Sequence, residues 1–170
     1  MNIIEETKKD IESKNKQVDK YERKADKAYS RGNYERFREA MEQVDIVHTE
    51  LLKYQLDLHN KTGDVREKMG ELELQVSQLQ VTQASNIMRA KRNGEQVLAP
   101  NTEVQIALEE QLGVVAQEYA TMMGTYNMAQ RYAHNAGKKL DKLREVAGMH
   151  GDIHETKIRE LKKVPYLARE

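Results

Sequence analysis

Cysteine and tryptophan are absent from the 170 residues, phenylalanine occurs once, and proline occurs only at Pro100 and Pro165. Without cysteine there is no disulfide frame, no thiolate nucleophile and no Cys-bound zinc, and the redox compartment stays open. A proline-free stretch from residue 1 to 99 is what a chain needs when most of its positions donate helical hydrogen bonds. A compact globule of this length normally holds more aromatic bulk. Long helices need less, because a narrow seam replaces a thick core. The mean hydropathy of −0.86 resembles that of a disordered chain, but the formal net charge of +0 and a sustained apolar periodicity argue against disorder.

The balanced charge also argues against a dedicated nucleic-acid binder, which gains affinity from a basic surplus. Lys/Arg and Asp/Glu intermix along nearly all of the chain, as on solvated helix faces. Residues 1–20 show no apolar core of a secretory signal, and no run approaches the roughly 20 apolar residues of a membrane span. A cytoplasmic protein is the expectation, and the glycosylation-like Asn60-Lys61-Thr62 is read as chance.

What is present is heptad spacing. A first helix is expected over residues 3–30, where Ile4, Ile11, Val18 and Ala25 recur every seven residues, with Tyr21 and Ala28 three further on. Gly32 and Asn33 can end it, since both residue types accept the positive φ of a helix terminus. A second helix is expected over 34–93, with Phe37, Val44, Leu51, Leu58, Val65, Leu72 and Leu79 as an unbroken seven-residue series. Residues 60–64 are its weak point. Gly63 suits a helix end, and Asp64 with Glu67 could form a capping box. The heptad phase nevertheless runs unbroken from Leu58 to Val65, which favours continuity at a glycine cost of about 1 kcal/mol. In the alternative, 3–30, 34–60 and 64–93 would be three similar helices of a bundle.

Asn93-Gly94 and Pro100 mark a loop over 94–101. The last long helix, 102–147, carries the most regular pattern. Leu108, Leu112, Val115, Tyr119, Met122, Tyr126, Ala129, Ala133, Ala136, Leu140, Leu143 and Ala147 follow alternating steps of four and three. Its middle is small (Ala129, Ala133, Ala136), which permits close approach of a neighbour. Tyr119 and Tyr126 would place a ring in the seam and a hydroxyl at its edge. Met123 and Met128 lie off the seam and could face a second neighbouring helix. A short helix over 152–163 and a basic tail complete the reading. These are the marks of a single all-α domain, an elongated antiparallel helical bundle or coiled coil of three to four long helices.

Residues that would carry chemistry are scarce. No His follows a Glu by three, as di-iron bundles require, and Asp45-x-x-His48 stands alone. His150 and His154 have the spacing to grip a cation, but Gly151 between them weakens the helix that spacing needs. Gly137-Lys138-Lys139 lacks the rest of a phosphate loop and falls inside the heptad helix. There is no Gly-x-Ser-x-Gly, and carboxylates are matched by Lys or Arg at helical spacing. The basic clusters Arg89, Lys91, Arg92 and Lys157, Arg159, Lys162, Lys163 have no interleaved aromatics on which bases could stack. No catalytic residue, metal or cofactor is therefore expected.

One family resemblance is visible. Tyr21-x-x-Lys24-Ala25-x-x-Ala28, Arg31-Gly32, Arg38-Glu39-Ala40-Met41, Gly70-Glu71-Leu72-Glu73 and Arg89-Ala90-Lys91-Arg92 stand in the order found in the helical hairpin of the phage-shock protein A family, bacterial relatives of ESCRT-III. Residues 21–93 resemble that hairpin, under half of the chain. The resemblance implies self-assembly into rods or rings against membranes. The residues before Tyr21 are more charged than the amphipathic membrane-binding helix that opens that family, and 102–147 does not match its later segments.

The expectation is thus a non-enzymatic structural, assembly or adaptor element. It would act through helix–helix binding to a protein partner or to itself, as a homo-oligomer. A membrane-associated assembly and a phage or mobile-element structural protein are the alternatives.

Overall fold

The computed structural model describes residues 2–96, 102–148 and 160–161. Among them are three long helices, α1 (Ile3–Ser30), α2 (Tyr34–Asn93) and α3 (Thr102–Val146). The 152–163 helix lies outside the described residues apart from Glu160 and Leu161, which are helical.

The helix ends follow from local chemistry. Asn2 caps α1, its Oδ1 accepting the Ile4 N–H at 2.7 Å. At the other end Gly32 adopts φ +71°, and the N–H groups of Gly32 and Asn33 return to the carbonyls of Tyr29 and Ala28. That is a Schellman closure, which uses the two carbonyls the helix would leave unpaired. Asn33 then starts α2, since its Oδ1 accepts the Arg36 N–H at 3.2 Å and its carbonyl the Phe37 N–H at 3.0 Å. The same closure ends α2, with Gly94 at φ +66° and the Glu95 N–H on the Ala90 carbonyl. Residues 60–64 do not interrupt α2, and Gly63 keeps a helical backbone. The preserved heptad phase outweighs the local end signals there.

The chain divides into two compact units, Met1–Lys61 with Met122–Glu170, and Thr62–Thr121. In the first, α1 packs with the opening half of α2 and the closing half of α3. Its core holds Ile11, Val18 and Ala25 from α1, Val44, Leu51, Leu52 and Leu58 from α2, and Ala129, Ala133, Ala136 and Leu140 from α3. Here His59 of α2 stacks near Tyr126 of α3 at 5.8 Å, and Asp45 lies 3.7 Å from Arg144. In this unit the later residue of α2, His59, thus meets the earlier residue of α3, Tyr126.

The second unit is a helix pair, the closing half of α2 against the opening half of α3. Leu72, Val76 and Leu79 of α2 and Leu108, Leu112 and Val115 of α3 are half-buried in it. Val65, at the start of this unit, is buried, but these six have one neighbouring helix instead of two, so water still reaches their flanks.

Candidate interaction surface

The helix-packing seam divides by unit. Phe37, Val44, Leu51, Leu58, Met122, Ala129, Ala133, Ala136, Leu140 and Leu143 are buried in the first unit, where Tyr126 is half-buried. In the second unit Val65 is buried, and Leu72, Leu79, Leu108, Leu112, Val115 and Tyr119 are half-buried. Tyr119 has its ring in the seam and its hydroxyl at the edge, where Arg66 Nη2 donates to it at 2.6 Å. The Arg66 guanidinium also lies 5.5 Å from the ring centroid, a cation–π arrangement.

Burial extends beyond the seam in the first unit. His48, Leu52 and Thr125 are buried, and so is Met128, off the seam as expected for a residue facing a second helix. Polar ties join the helices at the core's margin. Lys14 of α1 reaches Glu50 of α2 at 2.6 Å, and Tyr54 donates to Asp10 at 3.4 Å. Lys139 of α3 donates to Asp19 of α1 and lies 3.7 Å from Glu22.

The concave features are grooves between helices. One, at the α1–α2 turn, is lined by Tyr21, Lys24, Lys27, Arg31, Arg36, Glu39 and Glu42 among others. The other, in the second unit, is lined by Lys68, Glu71, Leu72 and Gln75 opposite Glu110, Gln111, Val114 and Val115. Among the described residues, no three His, Asp or Glu side chains group so as to hold a metal ion. His150 and His154 lie outside the described residues. No described helix is long and apolar enough to cross a membrane.

The feature that seam reasoning missed lies on the outer face of α2 in the second unit. Leu74, Val81 and Met88 are 58%, 65% and 61% exposed, large apolar side chains at steps of seven. At 3.6 residues per turn they point away from Leu72, Val76 and Leu79, the side that meets α3. Gly70, Ser77 and Ala84 fall between them, all exposed, so Gly70, Leu74, Ser77, Val81, Ala84 and Met88 make a second stripe with alternating steps of four and three. The surrounding sequence is unusual as well. Residues 74–88 contain no Asp, Glu, Lys or Arg in a chain that is 33% charged. The uncharged run was the available signal, and it is masked when charges are counted over the whole chain. Val104, Ile106 and Val114 add exposed apolar surface on α3.

Compared with family models, with curated proteins and with solved structures, the chain matches none.

Proposed function

We propose that this is a non-enzymatic coiled-coil protein that acts as an assembly, scaffold or adaptor element, gripping the helices of a partner or of a second copy. In this reading α1, α2 and α3 form an elongated antiparallel bundle whose first unit is a closed three-helix core and whose second unit is the binding part. The observation that carries it is the outer stripe Leu74, Val81 and Met88, exposed on a helix whose opposite side already packs on α3. Apolar surface of this kind gains free energy when another helix covers it, at about 25 cal/mol per Å² removed from water. The half-buried seam of the same unit adds to the reading, because a two-helix layer covers its apolar residues only on one side.

Two measurements on the full chain test this. Light scattering should give a molar mass above the 19.7 kDa of one chain. Hydrogen exchange should show the amides of 62–93 and 102–121 less protected than those of the first unit when the protein is diluted to the monomer. A strict monomer whose second unit is as protected as its first would overturn the proposal, since such a helix pair needs no partner.

A further inference from the structure

The charges that bracket the outer stripe are sorted by sign. Glu71 and Glu73 stand just before the uncharged run 74–88, and Arg89, Lys91 and Arg92 just after it. All five are exposed. One end of the stripe is therefore acidic, the other basic, and the middle neutral. A parallel second copy would set acid against acid and base against base. An antiparallel copy sets each acidic end against a basic one.

We infer that two copies of this chain pair antiparallel along residues 70–92 of α2, with Val81 on the two-fold axis. The inference rests on the helix-binding reading above and names its partner as a second copy. With Val81 at the centre, Leu74 of one copy lies level with Met88 of the other. The flanks also fit. At about 100° per residue, Glu73 and Lys91 fall on one side of the stripe, and Glu71 and Arg89 on the other. A two-fold axis across the pair keeps each flank on its own side. Glu73 then faces Lys91 of the second copy, and Glu71 faces Arg89, each offset by two residues, about 3 Å along the axis. The symmetry doubles both pairs. Gly70, Ser77 and Ala84, interleaved with the larger residues, leave room for the second helix to approach.

The native chain has no cysteine, so one introduced thiol reports one position. Under mild oxidation V81C should form a disulfide-linked dimer. L74C and M88C should each stay unlinked alone and crosslink when mixed. V81E should bring the molar mass down twofold to 19.7 kDa, with helix content unchanged, because it sets two carboxylates against each other at the axis. An equimolar mixture of V81E and V81K should restore the dimer. Self-linking of L74C as efficient as that of V81C would mean a parallel pair and overturn the inference. An oligomer whose mass V81E leaves unchanged, with no V81C crosslink, would also overturn it while leaving the helix-binding reading intact. A wild-type chain that stays at 19.7 kDa throughout removes self-pairing, and hydrogen exchange then decides the broader reading.

Discussion

Lys14 on α1 and Glu50 on α2 lie 2.6 Å apart, both at the margin of the first unit's core. The hydrogen bond to Glu50 raises the Lys14 pKa above its ordinary 10.5 against the opposing effect of burial, and the charge of Glu50 adds to the rise. Burial alone would lower Lys139, but its hydrogen bond to Asp19 and the charges of Glu22 and Asp19 outweigh it, so this lysine is raised too. Burial pushes the Tyr54 phenol above its ordinary 10.0, and the nearby Asp10 carboxylate pushes it further. All three groups hold their protons more tightly in the folded chain. Their contribution is therefore complete below about pH 10 and is lost as pH rises through the raised folded values. Thermal melts should show Tm falling above about pH 10, and the K14M/K139M variant should show a shallower fall. The lysine pairs are partly exposed, so each contributes about 0.2–1 kcal/mol. Equal alkaline slopes in the two proteins would show that the pairs contribute nothing.

Leu140 is fully buried in the first unit, whereas Leu79 is half-buried in the second, although both occupy seam positions. Leu140→Ala should cost about 2–5 kcal/mol, as removal of a buried leucine leaves both lost transfer free energy and a cavity. Leu79→Ala should cost about half as much, because part of its side chain already meets water. Ala133, also fully buried, tests the reverse change. Ala133→Leu should destabilise by about 1–3 kcal/mol through overpacking. Urea unfolding at one protein concentration gives all three numbers, and equal costs for Leu140→Ala and Leu79→Ala would show that the units bury their seams alike.

The helix ends were legible because they depend on a few residues. Gly32 and Gly94 carry the needed positive φ, and Asn33 the cap chemistry, in the sequence itself. Periodicity likewise marked Val44, Leu51, Leu58 and Leu140 as inward. What it could not show was how many neighbours each stripe has. Leu51 and Leu52 are adjacent and both fully buried, and the neighbours Val47 and His48 are both buried, because α2 is covered over a wider arc in the first unit than one seam requires. His48 illustrates the cost of a motif search. Its spacing from Asp45 is that of a possible metal-ligand pair, yet it lies in the core. Leu74, Val81 and Met88 were missed for a related reason. Leu72 and Leu79 define one seam, and a heptad series says nothing of the face opposite it.

Arg66 and Tyr119 join α2 and α3 in the second unit by a 2.6 Å hydrogen bond combined with a guanidinium 5.5 Å from the ring centroid. Arg66 is exposed, so water competes for its charge. Tyr119→Phe keeps the ring and removes the acceptor, and should cost about 0.5–1 kcal/mol. A double-mutant cycle with Arg66→Met should return a coupling of about 0.5–1 kcal/mol, since the cation–π component disappears only with the arginine. A coupling of zero would mean that the contact is not held in solution.

Gly63 and Gly32 should respond oppositely to the same substitution. Gly63 sits inside α2 with a helical backbone, and a Cβ placed there meets nothing within 4 Å. Gly63→Ala should therefore stabilise the chain by about 0.5–1 kcal/mol, the helix-interior penalty of glycine. Gly32 also has open space around a Cβ, but its φ is +71°. Gly32→Ala should destabilise by about 1–2 kcal/mol, because the Cβ then crowds the following carbonyl. Sterics with the surroundings cannot produce this difference, since neither site has a close neighbour. Chemical denaturation of the two variants beside the parent checks the signs. A loss at Gly63 would mean that α2 bends or opens there, and that the end signals at 60–64 act in solution after all.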